Sequence, residues 1–321
     1  MSKATKIWLI VAASLVALGI VLLVGVFTMI KWDFKKLSTN KYETNKYEIE
    51  ESYNSLSIDT DTANIVFLPS DSSKCIVECH EQKNAKHSVA VKGDTLAIEL
   101  VDQRRWYEHI GVNFENSSIT VYLPQGEYAS LDIKNKTGSV EIPDGFRFEK
   151  LDISVSTGSV ECRADIEGAA KIKSTTGDIC VENVSAGSLT ISVSTGKVTV
   201  TDVSCDRDVF VRVSTGRAYL TNVKCGSFAS VGSTGDILLK KLIAEENISI
   251  ERSTGDVTFE DSDAAEIFVS TDTGDVEGSL LSDKVFITKT DTGRIKVPNS
   301  ITGGRCEMTT DTGDIKITVS Q

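Results

Sequence analysis

From residue 131 onward, apolar and polar residues alternate in short runs, and each run is broken by the pair Thr-Gly. The full phrase is Thr-Gly, a polar residue and then an apolar one, from Thr137-Gly138-Ser139-Val140 to Thr312-Gly313-Asp314-Ile315. Its glycines are Gly138, Gly158, Gly177, Gly196, Gly216, Gly235, Gly255, Gly274, Gly293 and Gly313, always 19 or 20 residues apart. Seven, five and three residues before each glycine, and two and four after it, the positions are mostly apolar, as in Leu189, Ile191, Val193, Val198 and Val200. A spacing of two puts side chains on one face of a strand. Thr-Gly-Asp between two such runs reads as a tight turn, with glycine supplying a backbone conformation that a side chain resists. Each unit is therefore strand, turn, strand and a short corner. No unit can bury its own apolar row, so the units must stack. The pattern predicts an all-β fold, a β-solenoid of about ten coils and roughly 48 Å at the ~4.8 Å strand spacing.

The remainder of the chain divides by its pattern. Residues 7–30 are 24 uncharged, mostly apolar residues, long enough for a helix that crosses a bilayer. A cleaved signal peptide would have a shorter apolar core followed by a small-residue site, so the segment is read as an uncleaved anchor with Trp32 at the interface. Residues 1–6 then form a cytoplasmic tail, although Lys3 and Lys6 on one side and Lys31, Lys35 and Lys36 on the other leave orientation undecided by charge. Residues 31–52 are polar and read as a stalk. Residues 53–130 are irregular: 56–67 resemble a repeat unit with Ala63 in the glycine position, and 89–98 resemble a hairpin. They are expected to form the entry coils and cap of the regular array at 131–321. The other end shows no cap, and an open strand edge there would permit end-to-end self-association.

Charge narrows the range of partners. The formal charge is −12, and the 29 basic and 45 acidic residues from 37 onward give that part −16. Such a surface argues against nucleic acid. The odd total of seven cysteines argues against a full disulfide framework. Cys162 and Cys306 fall at inward positions, and Cys205 and Cys225 should stack on neighbouring coils within disulfide reach.

Four constellations are candidates for chemistry. Arg104-Arg105-Trp106-Tyr107-Glu108-His109 is the one dense cationic and aromatic cluster past the apolar segment, either a ligand-binding loop or an amphipathic cap on the first coil. Asp236, Asp256 and Asp275 follow the glycine on consecutive units, and Asp272, Asp291 and Asp311 form a second column two residues before it. Stacked carboxylates suit Ca²⁺, whereas turn chemistry and a solvated acidic face are the competing account. Lys197, Arg217 and Arg294 share the first column and would pair with it or interrupt it. The turn threonines form a third column, a hydroxyl ladder for ice or sugar unless each hydroxyl bonds the local backbone, the reading preferred here. Cys75, Cys79, His80 and His87 match no zinc spacing, and His80 should point away from Cys75 and Cys79. No other cofactor is expected. Nothing here has the motif of a nucleophile elbow, a zinc protease or a phosphate loop. The unbroken period also lacks the long loops from which a polysaccharide-cleaving solenoid builds its cleft, so no catalysis is expected.

The repeated STGD, STGS and DTGD phrases behind an apolar N-terminal segment resemble a bacterial family of unknown function known as "putative adhesins". The resemblance spans about 53–321 and is most specific from 131 on. It implies a β-solenoid displayed from the cell membrane on a single-pass anchor, with its C-terminal domain extracytoplasmic, and it supplies no catalytic residues. Its functional expectation is a surface-binding module for an envelope glycan or surface protein. The alternatives are a structural or regulatory membrane protein in envelope-stress signalling and, third, a carbohydrate-active enzyme.

Overall fold

The computed structural model describes residues 2–29, 31–32, 41–70, 72–106 and 115–320. Its β part is a parallel β-solenoid. Strands ahead of each turn glycine form one ladder, with Val209 beside Phe228 on the next coil, and strands after it form a second, with Val198 beside Ala218. Except at Gly293, the turn amide of each glycine bonds the threonine carbonyl of the adjacent coil, as from Gly196 N to Thr215 O at 3.0 Å. The threonine hydroxyls do something other than expected. They are exposed, and none has a hydrogen-bond partner among the described residues. The hydroxyl bonds come from two residues earlier, where Ser174 and Thr310 reach the carbonyls of Gly158 and Gly274 at 3.1 and 3.0 Å.

A second corner was not visible in the repeat. Six residues after the glycine, Asn183, Asp202, Asn222, Lys241 and Asp261 adopt φ between 49° and 56°. Short polar side chains tolerate this left-handed region best, and four of the five are Asn or Asp. The bend turns the second strand back around the core, which is filled by the alternating apolar residues, including Ile191, Val211, Leu220 and Phe259.

Both ends of the stack depart from chain order. The first repeat-like unit, Ser55–Thr62 and Asn64–Ser70, lies directly on the coil of Gly138. Its outer side carries Thr95–Asp102 and Ser118–Pro124, which together form one further coil. Antiparallel strands then close this end: Ala85–Lys92 on Thr95–Asp102, and Cys75–Gln82 on Ser118–Pro124. Tyr42–Ile49 pairs with Cys75–Gln82, so eight residues of the presumed stalk form a strand of the cap. At the far end the last unit inserts between its predecessors. Gly304–Thr312 lies between Glu266–Thr273 and Lys284–Thr292, and Ile315–Val319 lies between Val276–Leu280 and Ile295–Lys296. The open edge is therefore the coil of Gly293, not the C-terminal strand. Lys284, buried where the chain crosses to that coil, pairs with Asp263 at 2.7 Å.

Lys3–Met29 is a helix of 27 residues that contacts nothing in the solenoid core. At ~1.5 Å per residue it exceeds the ~30 Å hydrocarbon thickness of a bilayer. All seven cysteines are free, including Cys205 and Cys225. Both of these are buried, and burial pushes their thiols up to about 12.

Candidate functional site

One coil among the described residues lacks the tight turn. Between Thr95–Asp102 and Ser118–Pro124 the chain is longer than a Thr-Gly turn, and of this connection residues 103–106 and 115–117 are described. Arg104 begins this insertion. Its Nε and Nη2 donate to the two carboxylate oxygens of Asp102 at 2.8 and 2.6 Å, and Nη1 reaches Gln82 Oε1 at 3.5 Å. Gln82 donates to the Tyr42 hydroxyl at 3.0 Å, which in turn donates to the Glu115 carbonyl at 2.9 Å. Arg104, Gln82, Tyr42 and Glu115 rim a cleft of about 190 Å³ together with Asp61 and His87. Arg105 and Trp106 are both exposed, Trp106 at 78%. Tyr107, like Glu108 and His109, lies outside the described residues.

Beneath the cleft is a buried polar network. Glu81 is wholly buried and accepts from Asn45 Nδ2 at 2.7 Å, His87 Nδ1 at 2.7 Å and the His87 amide at 2.6 Å. His87 Nε2 lies 2.8 Å from the Thr60 hydroxyl. Burial works to raise the Glu81 carboxyl, yet the hydrogen bonds from His87 and Asn45 hold it below its ordinary value. Cys79 adjoins this group, so that Cys79, Glu81 and His87 bring three potential metal-ligand atoms within 4.8 Å of one another. Both carboxylate oxygens are already engaged, and burial pushes the Cys79 thiol up to about 12, so these groups are arranged as a hydrogen-bonded network. His80 points outward as expected, 3.7 Å from Glu115 and stacked on Tyr42. Glu81 was legible in the alternation that places Cys75, Val77 and Cys79 inward. Only its charge argued against continuing that alternation.

The aspartate columns have a clear geometry. Asp236 accepts from the amide of Asp256, Asp256 from that of Asp275, Asp275 from that of Asp314 and Asp314 from that of Arg294, at 2.7–3.2 Å. One oxygen of each carboxylate thus ties its coil to the next. Arg217 and Arg294 pair with the two ends of this ladder, Asp236 and Asp314, at 3.3 Å each. Hydrogen bonds from Lys316 and then from the Arg294 amide hold the Asp314 carboxyl down to about 2. In the second column the inserted coil sets the spatial order Asp272, Asp311, Asp291, all exposed, with Lys289 3.1 Å from Asp291.

Asn64 shows how far the repeat extends. It occupies the place of these aspartates beside Ala63, and its side-chain oxygen accepts from the Ser139 amide at 3.0 Å. The family model described as Toastrack DUF4097 matches residues 53–216 and again 198–321, so it begins within this same cap. The chain belongs to the Toastrack DUF4097 family. Solved structures similar to this Toastrack chain include a "putative adhesin" from Bacteroides fragilis, 15% identical, covering 87% of this chain and 97% of its own, TM-score 0.43. A "putative lipid binding protein" from Parabacteroides distasonis is 13% identical, with 88% and 98% covered and a TM-score of 0.49. A "putative adhesin" from the same organism is 11% identical, with 87% and 98% covered and a TM-score of 0.49. No curated protein matches the Toastrack chain.

Proposed function

We propose that this Toastrack protein is a non-enzymatic binding module, held in the cell membrane by its N-terminal helix with the solenoid on the extracytoplasmic side, and that it takes an envelope glycan in the cleft beside Arg104. The observation that carries this reading is the opening beside Arg104, where Arg104, Tyr42, Gln82, Asn116, Asp61 and Glu115 bring together a guanidinium, a phenol, two amides and two carboxylates. Planar polar groups with fixed hydrogen-bond directions suit vicinal sugar hydroxyls, and an exposed indole offers a stacking surface. The absence of catalysis belongs to the same reading, since the buried Glu81–His87 pair has its hydrogen-bonding capacity spent on Asn45 and Thr60.

The test uses the full chain in nanodiscs, sedimented with purified envelope glycan in the presence of Ca²⁺ or of chelator. Saturable binding that Arg104→Ala together with Trp106→Ala abolishes is the expected result. Binding lost only with chelator moves the site to the Asp236–Asp275 or Asp272–Asp291 columns, and turnover of the glycan revives an enzyme. No binding in either condition overturns the reading. A regulatory role beside a membrane partner then takes its place. One observation already favours that second role: Tyr42, at the cleft, follows Met29 by thirteen residues, which tethers the site within about 45 Å of the helix end.

A further inference from the structure

A second cleft lies in the middle of the solenoid, away from Arg104, and it is built around a charge in the core. Arg252 stands three residues before Gly255, a position where other coils carry Val193 and Val213, and it is 3% exposed. The paired residue on the preceding coil is Gly232. A Cβ on Gly232 would lie 1.6 Å from Arg252 Nη1, so the guanidinium occupies the space that the missing side chain leaves. Nη2 donates to the buried Ser230 hydroxyl at 2.7 Å, while Nε has no partner. A guanidinium has five N–H donors and no way to shed its charge near neutral pH. Burial pulls Arg252 down only to about 10, which leaves it cationic. An unpaired buried cation is strongly disfavoured unless an acceptor meets it.

Arg252 and Gly232 form part of the lining of a cleft of about 280 Å³. Arg212 contributes a second guanidinium, and Ser214, Ser233 and Ser253 bring hydroxyls from three successive coils. We propose that this cleft binds one small oxyanion, a phosphate or carboxylate group, against the unpaired donors of Arg252. The serine hydroxyls donate to the remaining oxygens, and Arg212 closes the outer side. Glu251 and Asp272 also line the cleft. They set its selectivity, because a polyanionic chain lying across the coils would meet both carboxylates, whereas a single compact anion seated on Arg252 does not.

The experiment is calorimetric titration of the full chain in detergent with sodium phosphate, against sodium chloride at matched ionic strength and against polyphosphate. Saturable phosphate binding is expected, with a loss of affinity of about tenfold or more in Arg252→Met. That substitution places a flexible apolar side chain at a core position, so folding is expected to survive. Arg212→Gln lies on the outer surface and supplies an independent reading if Arg252→Met fails to fold. It should weaken phosphate binding, by less than the core variant. Absence of saturable binding overturns the proposal, as does equal binding by the wild type and whichever variants fold. Polyphosphate bound more tightly than phosphate and unaffected by either variant also overturns it, since that is general charge attraction.

Discussion

At nine of the ten turn glycines, all but Gly293, a side chain is excluded by two constraints. At Gly216 the backbone has φ of 136°, a region that L-residues avoid. A Cβ there would also lie 1.9 Å from the carbonyl oxygen of Gly196 on the adjacent coil. The second constraint belongs to the column, because each glycine carbonyl sits where the next glycine would carry a side chain. Gly216→Ala must therefore push two coils apart as well as strain one turn. It should cost about 3 kcal/mol or more, read as a lowered midpoint in urea with the secondary structure retained. A loss below about 0.5 kcal/mol would show that the column relaxes freely and that φ alone selects glycine. The aspartate beside the glycine is explained at the same scale. Its carboxylate bonds the amide of the next coil, so an acidic column that invites a cation-binding interpretation also has a structural task in every coil from Asp236 to Asp314.

Among the elements, the N-terminal cap differs most from the array, and a period of twenty says least about it. The alternation at 89–98 marked the local hairpin that the structure shows, Ala85–Lys92 on Thr95–Asp102, whereas the antiparallel pairing of Cys75–Gln82 with Ser118–Pro124 and with Tyr42–Ile49 is non-local and leaves no local mark. Tyr42–Ile49 has four charged or amide side chains among eight residues, which made it resemble a solvated stalk. Its edge position and one buried contact, Asn45 to Glu81, explain why polar residues serve there. Glu81 makes this cap acid-sensitive. Its folded-state carboxyl is held below its ordinary value, so its stabilisation is complete above the unfolded value of about 4.3 and disappears as pH falls through the lower folded value. Amide exchange in 42–49 and 75–92 should therefore accelerate below about pH 4, before the regular coils respond. In Glu81→Ala the cap should already be weaker at neutral pH by about 3 kcal/mol, because His87 and Asn45 lose a buried acceptor. An acid response of the cap that is undiminished in the variant would assign the effect to other carboxylates.

For the whole molecule, the ten-coil array was readable from the glycine period, but the order of its last coils was not, because register within a repeat cannot say which neighbour a coil chooses. Side-chain chemistry supplies the choice. At the five inward positions the coil of Gly313 offers Cys306, Met308, Thr310, Ile315 and Ile317, all buried, whereas the coil of Gly293 offers Phe286, Thr288, Thr290, Ile295 and Val297, with Ile295 45% exposed. The two rows differ in polarity at Met308 against Thr288, and placing the coil with Met308 inside and the one with two inward threonines at the end keeps the more polar row at the open edge. Terminal repeats are often finished by polar substitutions, and here that substitution falls on the penultimate unit of the chain. The arrangement is testable by cross-linking on the outer face. Ser270 is in register with Thr309, and Thr309 with Lys289, so each of these pairs lies ~4.8 Å apart, within the range that a disulfide spans. Ser270 and Lys289 are then separated by two coil spacings. Under mild oxidation, Ser270→Cys with Thr309→Cys should bridge, as should Thr309→Cys with Lys289→Cys, whereas Ser270→Cys with Lys289→Cys should stay reduced. Stacking in chain order reverses the first and last of these results. The native cysteines do not confuse the assay, because Cys306, the nearest, is buried with its thiol pushed up to about 12. Non-reducing peptide mapping thus decides whether the solenoid ends on its last coil or, as the buried residues require, folds that coil back beneath the one before it.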